Sequence, residues 1–121
     1  MNGLSVLLDT NIIIGLLKGS DAVIPLLSHI PLHTCGFSAI TRMELLSYPD
    51  LTADEKHGIN QLLARMTHLE ISPLIEDLTI QFRRQHRIKL PDAIIAATAI
   101  AHGLELLTLD KKLAAKIQAD S

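Results

Sequence analysis

The chain is poor in aromatic residues, with two phenylalanines, one tyrosine and no tryptophan in 121 residues. Phe37, Tyr48 and Phe82 are too few and too scattered to build a stacking platform, which argues against single-strand recognition by base stacking. A lone cysteine, Cys35, excludes an internal disulfide, and its apolar surroundings mark it as a small core hydrophobe. The six histidines form no pair at zinc-ligand spacing with one another or with that cysteine. No apolar run reaches the roughly 18 residues that a membrane span needs, and Met1 to Leu8 lacks the charged start and the length of a signal peptide. A soluble, cytoplasmic protein is therefore expected. Repeats, low-complexity tracts and linkers are absent as well, so residues 1–121 read as a single domain.

What is present is a core. Hydrophobic residues make up 48% of the chain, enough for one packed interior. The net charge of −2 hides an asymmetry: residues 1–82 carry four basic and nine acidic side chains, whereas 83–121 carry seven basic and four acidic. A chain that is neutral on average can still present a basic face.

The most informative stretch is LPDAIIAATAIAHGLELLTLD, from Leu90 to Asp110. Pro91 suits the start of a helix, where its missing N–H would be unpaired anyway, and this puts Asp92 in the first turn. From Ala93 to Ala101 the only polar side chain is Thr98, so the helix should be buried on all sides. Gly103 stops it. Leu104 to Thr108 then has strand length, and Asp110 follows the strand's C-terminal end.

The same grammar applies upstream. Leu4 to Leu8 reads as a strand that ends at Asp9-Thr10-Asn11, before a helix through Ile12 to Leu17. A second helix is expected from Asp21 to His29, and a strand from His33 to Phe37. Ser38 caps a helix that carries Ile40, Met43, Glu44 and Leu46 to Tyr48. Glu44 lies four residues past Ile40 and shares its helical face. Thr52 with Glu55 makes a capping box, followed by the stripe Ile59, Leu62, Leu63 and Met66. His68 to Ile71 is a weak strand. Ser72-Pro73 opens a helix with Leu74, Leu78 and Phe82 on one side, ending in the basic group Arg83, Arg84, Arg87 and Lys89. Lys111 to Ala119 forms a terminal helix.

Four acids, Asp9, Glu44, Asp92 and Asp110, thus stand at or near strand ends. Each has a bland explanation: Asp9 as a helix cap, Glu44 as a solvated side chain. In a parallel sheet with helical crossovers, however, they share one edge, where ligands of open α/β sheets bind. Like charges gathered there call for a cation. Hard divalent ions take oxygen ligands, and the chemistry they support is activation of water and stabilisation of charge on a phosphodiester. Thr10 and Asn11 could orient ligands or water. The basic group before Asp92 is either a solvated helix end or a phosphate-contacting patch.

The segments LLDTNIII, TRMELL, PDAIIAATA and LLTLD closely resemble the four motif regions of PIN-domain ribonucleases, and the small single-domain form resembles the VapC-type toxins of toxin–antitoxin pairs. The resemblance covers nearly the whole chain, and its third motif is the most specific. It implies a three-layer α/β/α PIN-like fold with a short, mainly parallel sheet of four or five strands. It further implies metal-binding and catalytic roles for Asp9, Glu44, Asp92 and Asp110, with Thr10, Asn11 and Thr108 supporting. Mg²⁺ or Mn²⁺ as cofactor, RNA as substrate, a homodimer and an antitoxin partner follow from the same resemblance. The chain departs from many relatives at Lys112 and Leu113, where those have an acid and, beyond it, an aromatic residue.

Three other readings compete. A phosphoacceptor receiver domain would need an acidic pair near the first strand end and a lone aspartate after a mid-chain strand, but Asp50 and Asp54 merely flank a capping box. A PIN-like fold without catalysis could serve as an RNA- or protein-binding module. A DNA nuclease would use the same phosphodiester chemistry.

Overall fold

A computed structural model describes residues 3–120. Four strands form one sheet: β1 (Val6–Leu8), β2 (Cys35–Ser38), β3 (Thr67–Leu69) and β4 (Glu105–Leu107), in the spatial order β3-β2-β1-β4. All three pairings are parallel, with Leu7 opposite Gly36 and Leu106. Parallel neighbours need crossover connections, which the helices supply: α1 (Thr10–Lys18), α2 (Ala39–Leu46), α3 (Ala53–Ala64), α4 (Pro73–Gln85), α5 (Leu90–His102) and α6 (Lys111–Asp120).

Alternation along β1 sorts the core into two layers. Val6 and Leu8 face one side, where they pack with Ile12 and Ile13 of α1, Phe37, Leu45, and Ile59 and Leu63 of α3. Leu7 faces the other, against Ile95 and Ala99 of α5. Behind α5, a further cluster joins Ala93 and Ala96 to Phe82 of α4 and Leu113 of α6. The small alanines of α5 let its neighbours approach from two sides, and Ala93 and Ile95 to Ala99 are all buried. The result is the expected three-layer α/β/α architecture, with a sheet of four strands among the described residues.

Several boundaries follow the sequence closely. The Thr52–Glu55 capping box is formed by both of its hydrogen bonds. Gly19 and Gly103 end α1 and α5 in the left-handed conformation. Cys35 is fully buried, and burial raises its thiol pKa.

Two expectations are corrected. The helix expected over Asp21 to His29 is a turn followed by one 3-10 segment, Ile24–Leu27. Pro25 cannot donate to the carbonyl of Asp21, so an α-helix could begin only near Pro25, and Pro31 leaves no room to propagate it. On α4 the inward face is Ile75, Thr79 and Phe82, while Leu74 is 57% exposed and Leu78 is only partly buried. A fourth-residue repeat drifts by about 40° per step, so Ile75, seven residues before Phe82, lies closer to its direction than Leu74 does. The strands are also shorter than read: β3 ends at Leu69 rather than Ile71, and Leu32–Thr34, which includes His33, is a 3-10 turn entering β2.

Candidate active site

The four acids reach one edge of the sheet from four separate segments. Asp9 follows β1 and is 6% exposed. Its backbone N–H donates to the carbonyl of Leu107 at 3.0 Å, extending the β1–β4 ladder by one step. Its side chain is held at both oxygens: Oδ1 accepts from the Thr10 N–H at 2.7 Å, capping α1, and Oδ2 accepts from the Thr108 hydroxyl at 2.6 Å. The capping role and a place in the site therefore coexist in one carboxylate.

Asp110 follows β4 and is exposed. Its N–H donates to Thr108 Oγ1 at 3.0 Å, and its Oδ1 accepts from the N–H groups of Lys112 and Leu113 at 3.0 and 3.1 Å. Oδ1 thus caps α6, with Oδ2 as the second acceptor of the carboxylate. Glu44 lies in the last turn of α2, half-buried, and its Oε1 accepts from the Thr10 hydroxyl at 2.8 Å. Thr10 is therefore tied to two of the acids, to Asp9 through its backbone and to Glu44 through its side chain.

Asp92 sits in the first turn of α5, half-buried. Burial raises its carboxyl pKa, and the charges of Asp9, Asp110 and Glu44 raise it further, against an opposing effect of Lys89. All three other acids act on Asp92, although they lie up to 83 positions away in sequence.

The donor set fits a hard divalent cation. It is made of carboxylate oxygens, the charges of three of the acids act together on the fourth against an opposing effect of Lys89, and it includes a buried carboxylate already oriented by two hydrogen bonds. Among the described residues no group of three or more His, Cys, Asp or Glu is arranged to hold a metal ion.

The remaining expected residues are placed as follows. Asn11 is exposed in the first turn of α1, beside Thr10. Arg83 and Arg84 end α4, and Arg87 and Lys89 lie in the link to α5; all four are exposed. Arg83 Nε donates to the carbonyl of Ile88 at 3.3 Å, and the Arg87 carbonyl accepts from Lys116 Nζ at 3.1 Å. The link is thus tied to both α4 and α6, and Lys89 sits close enough to the acids to lower the Asp92 pKa. One buried polar residue at this edge was not singled out from the sequence: Thr41, whose hydroxyl lies 3.0 Å from that of Thr10. Its position three residues before Glu44, on the same helical face, was the available signal.

A family model described as PIN domain matches residues 6–117. The chain belongs to the PIN domain family. No curated protein matches it. Among solved structures, a chain of a toxin–antitoxin complex from Klebsiella pneumoniae is similar at 35% identity, over 89% of this chain and 88% of that one, with a TM-score of 0.74. FitAcB from Neisseria gonorrhoeae is similar at 26% identity over 93% of both chains, with a TM-score of 0.71. VapBC2 from Rickettsia felis, bound to a DNA fragment from its promoter, shares the PIN fold at 23% identity over 90% of both chains, with a TM-score of 0.78. The matched span, 6–117, runs from the start of β1 into α6 and so takes in all four acids of this PIN domain.

Proposed function

We propose that this PIN domain is a Mg²⁺- or Mn²⁺-dependent endoribonuclease, acting in the cytoplasm as the toxin of a VapBC-type toxin–antitoxin pair. The observation that carries the proposal is the gathering of four carboxylates from separate segments: Asp9 is tied to Thr108 and, through Thr10, to Glu44, and the charges of Asp9, Asp110 and Glu44 act on Asp92 against Lys89. A bound divalent ion would supply an activated water and charge stabilisation on the phosphodiester. The chain's own part is to hold Asp9 rigid through Thr10 and Thr108, to orient Glu44 through Thr10, and to keep Asp92 at the rim of the buried helix α5. Arg83, Arg84, Arg87 and Lys89, all exposed, are assigned to the phosphates of the substrate.

The toxin reading is supported by similarity to a chain of a toxin–antitoxin complex at 35% identity. An antitoxin would then be the natural partner. A homodimer is supported by the apolar side chains that α4 leaves outside, Leu74 at 57% and Ile80 at 56% exposure; a monomer in light scattering at high micromolar concentration would remove it.

The deciding experiment is cleavage of RNA by the purified protein in Mg²⁺, in Mn²⁺ and in chelator, beside Asp92→Asn. Cutting that needs the metal and falls by several orders of magnitude in the variant is expected. A folded protein that binds RNA without cutting it under any of these conditions would instead be a binding module.

A further inference from the structure

Four threonines are buried on helices, Thr10, Thr41, Thr79 and Thr98, and they satisfy their hydroxyls differently. Thr79 and Thr98 each donate to the carbonyl four residues back, Ile75 and Ile94, both at 2.7 Å. Such back-bonding is the ordinary way for a helix to absorb a hydroxyl. Thr41 is in the first turn of α2, and its side chain, with no measurable exposure, meets the Thr10 hydroxyl of another helix at 3.0 Å. Thr10 Oγ1 is in turn 2.8 Å from Glu44 Oε1. A hydroxyl has one proton to donate. The carboxylate is the stronger acceptor, so Thr10 donates to Glu44 and Thr41 donates to Thr10. The order Thr41 to Thr10 to Glu44 is the one that makes both bonds with a single Thr10 proton, and accepting one hydrogen bond strengthens Thr10 as donor of the next.

We propose that Thr41 is a positioning residue of this site, holding Glu44 through Thr10 in the orientation that receives the cation. The inference rests on the nuclease reading above and names a residue which that reading does not use. Glu44 is a long, flexible side chain near a helix end, and without a donor at its other side the Thr10 hydroxyl is held by its bond to Glu44 alone. With Thr41 in place, the Thr10 lone pair nearest α2 is occupied and its proton faces Glu44.

The test is Mn²⁺ affinity, measured by calorimetry on wild type, Thr41→Val and Thr41→Ser, with RNA cleavage followed in parallel. Valine keeps the shape and removes the hydroxyl, whereas serine keeps the hydroxyl. T41V should bind Mn²⁺ roughly three- to tenfold more weakly, T41S should recover most of that loss, and in a Glu44→Gln background T41V should have little further effect. Should T41V fail to fold, Thr41→Ala against T41S gives the same contrast. Equal Mn²⁺ affinity in wild type and in the hydroxyl-free variant, with only the melting temperature lowered, overturns the proposal and leaves the nuclease reading standing. A wild type that neither binds Mn²⁺ nor cuts RNA overturns both.

Discussion

The Thr108 hydroxyl donates to Asp9 Oδ2 at 2.6 Å, joining the end of β4 to the end of β1 across 99 positions of sequence. Thr108 Oγ1 also accepts the Asp110 N–H at 3.0 Å. One short side chain thus sets the carboxylate of one acid and the backbone of another. Thr108→Val should leave Oδ2 of a nearly buried carboxylate without its partner. A loss of about 1.5–3 kcal/mol is expected, the range for hydrogen bonds to charged groups, and Thr108→Ser should restore most of it. Urea denaturation in chelator measures both; equal stability of wild type and Thr108→Val would mean that water replaces the bond at no cost.

Asp9, Asp92 and Asp110 were legible because local rules place them: an apolar run broken by a polar turn, a proline at a helix start, a glycine stop and a short strand. Those rules act over a few residues, and each leaves a mark in the sequence. The Thr41–Thr10 contact leaves only the three-residue spacing of Thr41 and Glu44, because the contact itself depends on how α2 packs against α1 after both have formed. The inward face of α4 is hidden in the sequence for a related reason, since Ile75 and Leu74 are both apolar and only the true helical angle separates them. Over Asp21 to His29 the apolar content favours a helix, but Pro25 and Pro31 limit it to a 3-10 segment.

Gly15 shows a packing constraint at the back of the site's first helix. A Cβ there would stand 2.3 Å from Val23 Cγ2 and 2.7 Å from Val23 Cβ. Gly15→Ala would gain up to about 1 kcal/mol in helix propensity, but contacts this short force a shift of the buried Val23 in the segment that follows α1, and overpacking costs about 1–3 kcal/mol. Net destabilisation is expected. Adding Val23→Ala should recover part of it, so the double variant should lose less than the sum of the singles. Strict additivity in thermal melts would show that the two side chains do not compete for the same space.

The exposed basic group makes a prediction about salt. If Arg83, Arg84, Arg87 and Lys89 contact phosphates, neutralising one of them should weaken RNA binding across sequences and flatten the log–log salt dependence by roughly one unit. Arg87 and Lys89 lie between α4 and the helix that carries Asp92, so they should matter most. An unchanged slope in all four variants would return the group to the role of a solvated helix end.

The field around Asp92 has a consequence for stability that can be read without substrate. Its carboxyl pKa is raised, first by burial and then by Asp9, Asp110 and Glu44. In the unfolded chain the same group titrates near about 4. Between that value and the raised one, the folded protein holds the proton more tightly, so stability falls as pH rises through the window, the opposite of a salt-bridged aspartate. The first turn of α5 and Lys89 work against this by favouring the anion, but they do not reverse its direction. In chelator, Asp92→Asn should therefore melt higher than wild type near neutral pH and show less of the fall between acid and neutral. Added Mn²⁺ should stabilise the wild type by about 2.7 kcal/mol at a hundred times its dissociation constant, and Asp92→Asn by less, because one of the acids has lost its charge. Melting curves of both proteins across pH, in chelator and in Mn²⁺, separate the two possible roles of this residue. If Asp92→Asn is less stable in chelator and keeps the full Mn²⁺ increment, Asp92 serves to start α5 and the four acids do not act as one site.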